Sequence, residues 1–497
     1  MSALIVAGLR CQFCHNTADD QRLMIAGDSG VICSHCVASS QKLLASGGEQ
    51  PEAPTTLYLF QLLDSHFAPE KPASLQVTSR TFQIRQQADL QLALNELFGE
   101  RVIGGNFIGV HSEYRHEAVT FSRLIERKRG AMQASPAQFQ EVDIGGSQSV
   151  RCLKNGVWLL KDGGRPYTAV LETSNDYGND PKLTLEIAGA GAEGLRIADQ
   201  VFPTIERRLS KDSCYRGRVL SLEQENQWSG RASRITVHEF EPVTREEVIL
   251  PEATLKAVER NVLSFAAHRP ALRKLGLSTQ KGLLFHGAPG TGKTHCIRYL
   301  AGQLTGHTTL LITADGVGLL PDYIALARPL QPALVVIEDA DLIARARTEM
   351  GGPCEEVMLN RLLNELDGLR ERADIFFVLT TNRPEELEPA LASRPGRIDQ
   401  SIEFPLPDEG HRIRLLRLYG QSIPVQQALL DDLATRTHGA TPAFIKEFMR
   451  RIAQNYLEAG SPAHVTQAMA QEALHDMLFT GGALNKKLLG GSEVHGE

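Results

Sequence analysis

A chain of 497 residues is too long for one hydrophobic core, and at roughly 100–200 residues per domain it predicts three or four of them. Its formal net charge of −7, over 42% hydrophobic and 22% charged residues, is that of a soluble globular protein and argues against a broadly basic nucleic-acid surface, though not against a local basic patch. No apolar run approaches the roughly 18–20 residues of a membrane span, and the N-terminus lacks the basic, apolar, small-residue order of a secretory signal, so the expectation is a cytoplasmic protein without membrane contact.

Residues 1–44 hold Cys11-Gln12-Phe13-Cys14 and Cys33-Ser34-His35-Cys36, two tight pairs 18 residues apart. This spacing brings four thiolates around one tetrahedral Zn²⁺, a closed structural site with no open position for catalysis. His15 and His35 are read as bystanders. Cys152, Cys214, Cys296 and Cys354 are scattered without partners, and no disulfide is expected. Residues 45–55, rich in Gly, Pro and Glu, form a linker.

From 56 to 240, short β-rich runs such as 157–160 and 183–187 mix with helical patterns such as Glu193 to Leu209, which predicts an α+β middle region of one domain or two small ones. From 241 to 409, apolar strands at Gly282–His286, Thr309–Thr313, Leu334–Ile337 and Ile375–Thr380 alternate with amphipathic helices, the pattern of a parallel sheet covered on both faces. Residues 410–484 read as helical, with Ile445, Phe448, Met449, Ile452 and Tyr456 spaced along one buried face, and 485–497 read as a disordered tail.

Within the α/β region, Gly287-Ala288-Pro289-Gly290-Thr291-Gly292-Lys293-Thr294 fits the phosphate-loop pattern, and it stands after a strand and before a helix, as that pattern needs. Glycines let the backbone wrap around phosphates with its N–H groups inward, while the helix N-terminus adds favourable partial charge. Lys293 would hold the β- and γ-phosphates of ATP and Thr294 would bind Mg²⁺. The strand Ala333–Ile337 then delivers Glu338 and Asp339. Beside a phosphate loop, two such acids can organise Mg²⁺ and orient water.

The stretch from about 245 to 480 resembles the AAA module of the AAA+ superfamily, an α/β phosphate-loop core followed by a helical lid. That resemblance implies an ATPase. The family usually ends the acid strand with Asp then Glu. By position Glu338 takes the metal role and Asp339 the water-activating role, with an inversion like that of relatives of the mitochondrial Rieske-protein translocase. On its own Asn382-Arg383-Pro384 reads as a turn, but the resemblance makes Asn382 a γ-phosphate sensor. Leu391 to Asp399 resembles the second region of homology, and the resemblance makes Arg394 and Arg397 fingers that reach a neighbour's ATP, which implies a homo-oligomeric ring, a hexamer by family habit. Members that thread polypeptides carry an aromatic-hydrophobic-Gly loop. The stretch Ala314 to Tyr323 lacks that order, so Leu319, Leu320 and Tyr323 are read as packing residues rather than pore lining.

The stretch from Cys11-Gln12-Phe13-Cys14 through Leu23-Met24-Ile25-Ala26-Gly27 to Val31-Ile32-Cys33-Ser34-His35-Cys36-Val37, within the domain expected over 1–44, is similar to the zinc-binding domain of the ClpX unfoldase, which implies Zn²⁺ on Cys11, Cys14, Cys33 and Cys36, dimerisation, and capture of a protein substrate or adaptor. The leading expectation is an ATP-driven protein-remodelling machine. A nucleic-acid-associated ATPase and a nucleotide-controlled scaffold stand as alternatives. Residues 1–50 set three cations (Arg10, Arg22, Lys42) against four anions (Asp19, Asp20, Asp28, Glu49), which offers little counterion release and favours protein over nucleic acid.

Overall fold

The computed structural model describes residues 24–27, 30–38, 57–99, 107–112, 118–128, 130–174, 181–223, 234–279, 281–341, 373–385, 387 and 398–477. Near the N-terminus, β1 (Met24–Gly27) and β2 (Gly30–Cys33) pair as an antiparallel hairpin.

The middle region is built on one sheet. Its strands are β3 (Gln76–Gln83), β4 (Phe107–His111), β5 (Gln133–Ser135), β8 (Gly156–Asp162), β9 (Arg165–Ser174) and β10 (Lys182–Gly189), in the order β3-β10-β9-β8-β4-β5. Along β10, Leu183, Leu185 and Ile187 alternate onto one face. There they meet α2 (Gln87–Phe98) and α3 (Gly191–Lys211), whose Ile197, Val201, Phe202 and Ile205 fall at helical spacing. The other face takes α1 (Leu59–Phe67) through Leu59, Leu63 and Phe67. A separate hairpin, β6 (Phe139–Gly145) and β7 (Gln148–Leu153), forms its own two-stranded sheet.

The second sheet has seven strands among the described residues, in the order β12-β11-β14-β15-β16-β13-β17. β13 (Lys281–His286), β14 (Thr308–Ile312), β15 (Ala333–Ile337), β16 (Ile375–Thr381) and β17 (Gln400–Glu403) run parallel. Every residue of β15 is buried, because alternate side chains enter two different cores. Leu334 and Val336 pack with α4 (Glu252–Glu259) and α6 (Lys293–Gln303); Val335 and Ile337 pack with α7 (Leu320–Ala327). A further helix, α5 (Phe265–Lys274), continues from α4 through a single π-helical turn.

The boundary expected at residue 240 cuts through this sheet. β11 (Val219–Glu223) lies parallel to β14, and β12 (Arg234–His238) pairs antiparallel outside it, so both strands belong to the α/β core rather than to the middle region. The Gly217 N–H reaches Thr308 Oγ1 at 3.0 Å and the Thr309 N–H reaches the Arg218 carbonyl at 2.9 Å, tying the entry of β11 to β14.

Helix α2 joins the two halves. Its Ala88 enters the core shared with β11, β14 and α7, while Leu90, Ala93 and Leu94 face the middle sheet. Asp89, 4% exposed, accepts from Ser213 Oγ at 2.6 Å and from the Cys214 N–H at 2.7 Å. Arg85 donates to Asp322 on α7 at 2.7 Å.

The C-terminal helices α8 (Glu409–Tyr419), α9 (Gln427–Arg436), α10 (Pro442–Glu458) and α11 (Gln467–His475) enclose their own core around Leu416, Phe444, Phe448 and Ile452. Tyr456, expected on the buried face, is half-buried against it. Among the described residues no helix is long and apolar enough to cross a membrane.

Candidate active site

The chain must turn from the end of β13 at His286 into α6 at Lys293, and the six residues between make a loop held from outside. Gly287 has φ +148°, and a Cβ there would lie 2.3 Å from the Phe404 carbonyl oxygen. Gly290 has φ +79°, and its Cβ would lie 2.8 Å from that of Ala443 at the start of α10, whose N–H donates to the Gly290 carbonyl at 3.1 Å. Neither position admits a side chain. Thr291 is buried, its hydroxyl donating to the Ala288 carbonyl at 2.9 Å. At Gly292, by contrast, nothing lies within 4 Å of a Cβ, which leaves open space at the N-terminus of α6.

Lys293 is buried, and its ammonium donates to the Gly287 carbonyl (2.7 Å), the Ala288 carbonyl (3.1 Å) and Asn382 Oδ1 (2.8 Å). Burial pushes its pKa down to about 8, against the opposing charges of Asp339 and Asp341. Thr294 Oγ1 donates to Glu338 Oε1 at 2.8 Å. Asn382 stands at the end of β16 and faces both ways: its oxygen accepts from Lys293 while its Nδ2 donates to Asp339 Oδ1 at 2.9 Å. Asp339 adopts φ +50°, a conformation Asp tolerates better than most residues, and its N–H is held by Thr380 Oγ1 at 3.0 Å. One end of the parallel sheet therefore gathers Lys293, Thr294, Glu338, Asp339 and Asn382. Arg394 and Arg397 lie outside the described residues.

Lys293, Thr294, Asp339 and Asn382 open onto a cavity of about 480 Å³, within the range of small-ligand pockets. Its walls include residues that sequence reasoning passed over: His295 and Arg298 on α6, Tyr419 on α8 and Lys446 on α10. The helices that supply Tyr419 and Lys446 begin more than a hundred residues after the loop, so no local pattern announced them. Asp341 was also missed. It is 3% exposed and accepts from Thr381 Oγ1 and the Asn382 N–H.

The residues present fit a nucleoside triphosphate with a divalent cation. The open concavity at Gly292 faces a helix N-terminus, and the ammonium of Lys293 is satisfied here by oxygens that phosphate oxygens can replace. Thr294 and Glu338 supply two adjacent oxygens of the hard type that Mg²⁺ takes. Just after the N-terminal hairpin, the Cys36 N–H donates to Cys33 Sγ at 3.4 Å. Cys11 and Cys14 lie outside the described residues.

Comparison with known proteins agrees with this geometry. Residues 283–406 match the ATPase family associated with various cellular activities (AAA), and residues 9–46 match the ClpX C4-type zinc finger. The ATP-dependent zinc metalloprotease FtsH 3 of Sphaerobacter thermophilus is 33% identical over 283 residues, 54% of this chain and 57% of that protein. The proteasome-activating nucleotidase of Methanocaldococcus jannaschii is 31% identical over 238 residues, 45% of this chain and 55% of its own. The cell division cycle protein 48 homolog of Archaeoglobus fulgidus is 29% identical over 232 residues, 44% of this chain and 31% of its own. The chain thus spans little more than half the length of the first two and about a third of the last.

Proposed function

From a chain that carries an AAA ATPase domain, with its ATP and Mg²⁺, behind a ClpX-type C4 finger for Zn²⁺, we infer a ring-forming machine that hydrolyses ATP to remodel proteins. The observation that carries this reading is Asn382, whose side chain links the Lys293 ammonium to the Asp339 carboxylate. One residue thereby touches the group that grips phosphate and the group that faces water.

In this reading the backbone N–H groups of Gly290 to Thr294 and the ammonium of Lys293 bind the phosphates within the loop Gly287 to Thr294, with Lys293 exchanging its carbonyl partners for phosphate oxygens. Thr294 and Glu338 hold Mg²⁺, which when bound neutralises charge on the phosphates. Asp339 orients the attacking water and accepts its proton, while Asn382 senses the γ-phosphate. Arg394 and Arg397 reach the neighbour's site, so six copies closed in a ring complete one another's chemistry. Helices α8 to α11 act as the lid, since α10 touches the phosphate loop through Ala443 and Gly290. Cys11, Cys14, Cys33 and Cys36 hold Zn²⁺ in the N-terminal module, which recruits a protein substrate or adaptor.

Protein rather than nucleic acid is favoured by the near-neutral N-terminal module and by relatives named as an ATP-dependent metalloprotease and a proteasome activator. The metalloprotease activity does not transfer, because the sequence has no His-Glu-x-x-His. Threading through an aromatic pore loop is not part of this proposal: Leu319, Leu320 and Tyr323 are buried, and the Tyr323 hydroxyl accepts from the Leu222 N–H at 2.8 Å.

Asp339→Asn is the direct test, because it should bind ATP, stall before hydrolysis and retain substrate on an affinity column. Co-purification of a discrete protein is expected. Retention of DNA or RNA instead would replace this reading with a nucleic-acid one.

A further inference from the structure

Asn382 can serve both partners only if the turn after β16 is held still, and the structure shows what holds it. Asp341 lies in the first turn beyond β15 and is 3% exposed. A single oxygen, Oδ1, accepts from Thr381 Oγ1 at 2.9 Å and from the Asn382 N–H at 3.1 Å. The Thr381 hydroxyl oxygen in turn accepts from the Arg383 N–H at 2.9 Å, so three consecutive residues hang from one carboxylate. Thr381 is fully buried, so its hydroxyl has no solvent partner to exchange Asp341 for.

We propose that Asp341 is a positioning residue for hydrolysis, fixing the main chain of Asn382 so that its amide reaches Lys293 and Asp339 together; this rests on the nucleotide-site reading above. A carboxylate taken out of water forfeits much of its hydration unless donors replace the solvent, and here both donors come from one strand end. The two donors Asp341 accepts from both belong to the strand end that carries the phosphate-facing amide. Asp341 reaches neither phosphate nor water in this scheme; it acts through Asn382.

Because Oδ1 takes both hydrogen bonds, an amide oxygen can take them as well. ATP turnover and binding of a fluorescent ADP analogue are to be measured on the full chain for Asp341→Ala, Asp341→Asn, Asn382→Ala and Asp341→Ala/Asn382→Ala, with thermal midpoints for each. Asp341→Ala is expected to lower kcat about 100-fold, the scale of a 1 Å misplacement, with ADP affinity within about twofold of the parent. Asp341→Asn is expected to recover turnover to within a few-fold, and the double variant to be no slower than Asn382→Ala. Additive losses in the double variant, or an Asp341→Asn protein as slow as Asp341→Ala, would overturn the proposal. Should Asp341→Ala fail to fold, Asp341→Asn still tests the proposal, since turnover far below that of the parent in a folded Asp341→Asn protein would overturn it. A parent protein that binds ADP but hydrolyses no ATP would instead count against the nucleotide-site reading itself.

Discussion

Two buried aspartates in this protein do the same local job in different places. Asp341 accepts from a threonine hydroxyl and the next backbone N–H at the nucleotide end of the sheet; Asp89 accepts from a serine hydroxyl and the next backbone N–H where the middle region meets the core. The surroundings differ in consequence. Asp341 holds a turn whose side chain faces a cavity, whereas Asp89 holds the junction of the middle region with the α/β core, so on our reading one carboxylate serves turnover and the other serves assembly of two domains. The same pair of hydrogen bonds is thus informative only together with what the fixed segment faces.

That contrast can be broken or sharpened by measurement. At the nucleotide end the largest effect is expected for Arg394→Ala/Arg397→Ala, which should cost about 10³–10⁵ in kcat if these side chains act as fingers. Mixing that protein with Asp339→Asn should restore part of the activity, since each subunit lends what the other lacks. Full activity in the double-arginine variant would remove the argument for action in trans. At the junction Asp89→Ala should leave kcat of the folded protein unchanged but destabilise it by about 1–3 kcal/mol, because two buried donors lose their acceptor; denaturant titration reads this directly. Arg85→Ala, which leaves the partly exposed Asp322 able to rehydrate, should cost about 1 kcal/mol by the same assay.

The smallest effect concerns pH. Burial raises the Asp89 pKa above its ordinary 3.8, more than its hydrogen bonds lower it. A carboxyl group raised on folding contributes stability that is present when it is protonated, below the unfolded value, and is lost as pH rises through the folded value. Asp89→Asn, which keeps an acceptor without the charge, should therefore compare best with the parent near pH 7 and lose ground as pH falls toward 4. A constant difference across that range would show that the charge of Asp89 costs nothing at the junction.

Much of the nucleotide end was legible from the chain because its information is local. A glycine-rich loop between an apolar strand and a helix, and an apolar strand ending in Glu338 and Asp339, each fit within a dozen residues. Asn382 was legible only through the family resemblance. Asp341 was not, since an acid four residues past a strand ordinarily reads as part of a solvated turn. The junction was illegible for a different reason: Asp89 and Ser213 are 124 residues apart, and Val219–Glu223 alternates like the antiparallel strands before it although it pairs parallel to β14. Pattern reports how a strand is buried, not which sheet it enters.

The placement of β11 carries a practical warning. Cutting the gene at residue 241, where the hydropathy pattern changes, would strip away the strand that covers β14 and bare the main-chain groups now satisfied by Arg218 and its neighbours. An uncovered edge of that kind invites other chains to pair with it and precipitate. A well-behaved ATPase fragment has to begin ahead of Ser213, taking Tyr215 and both added strands along with it.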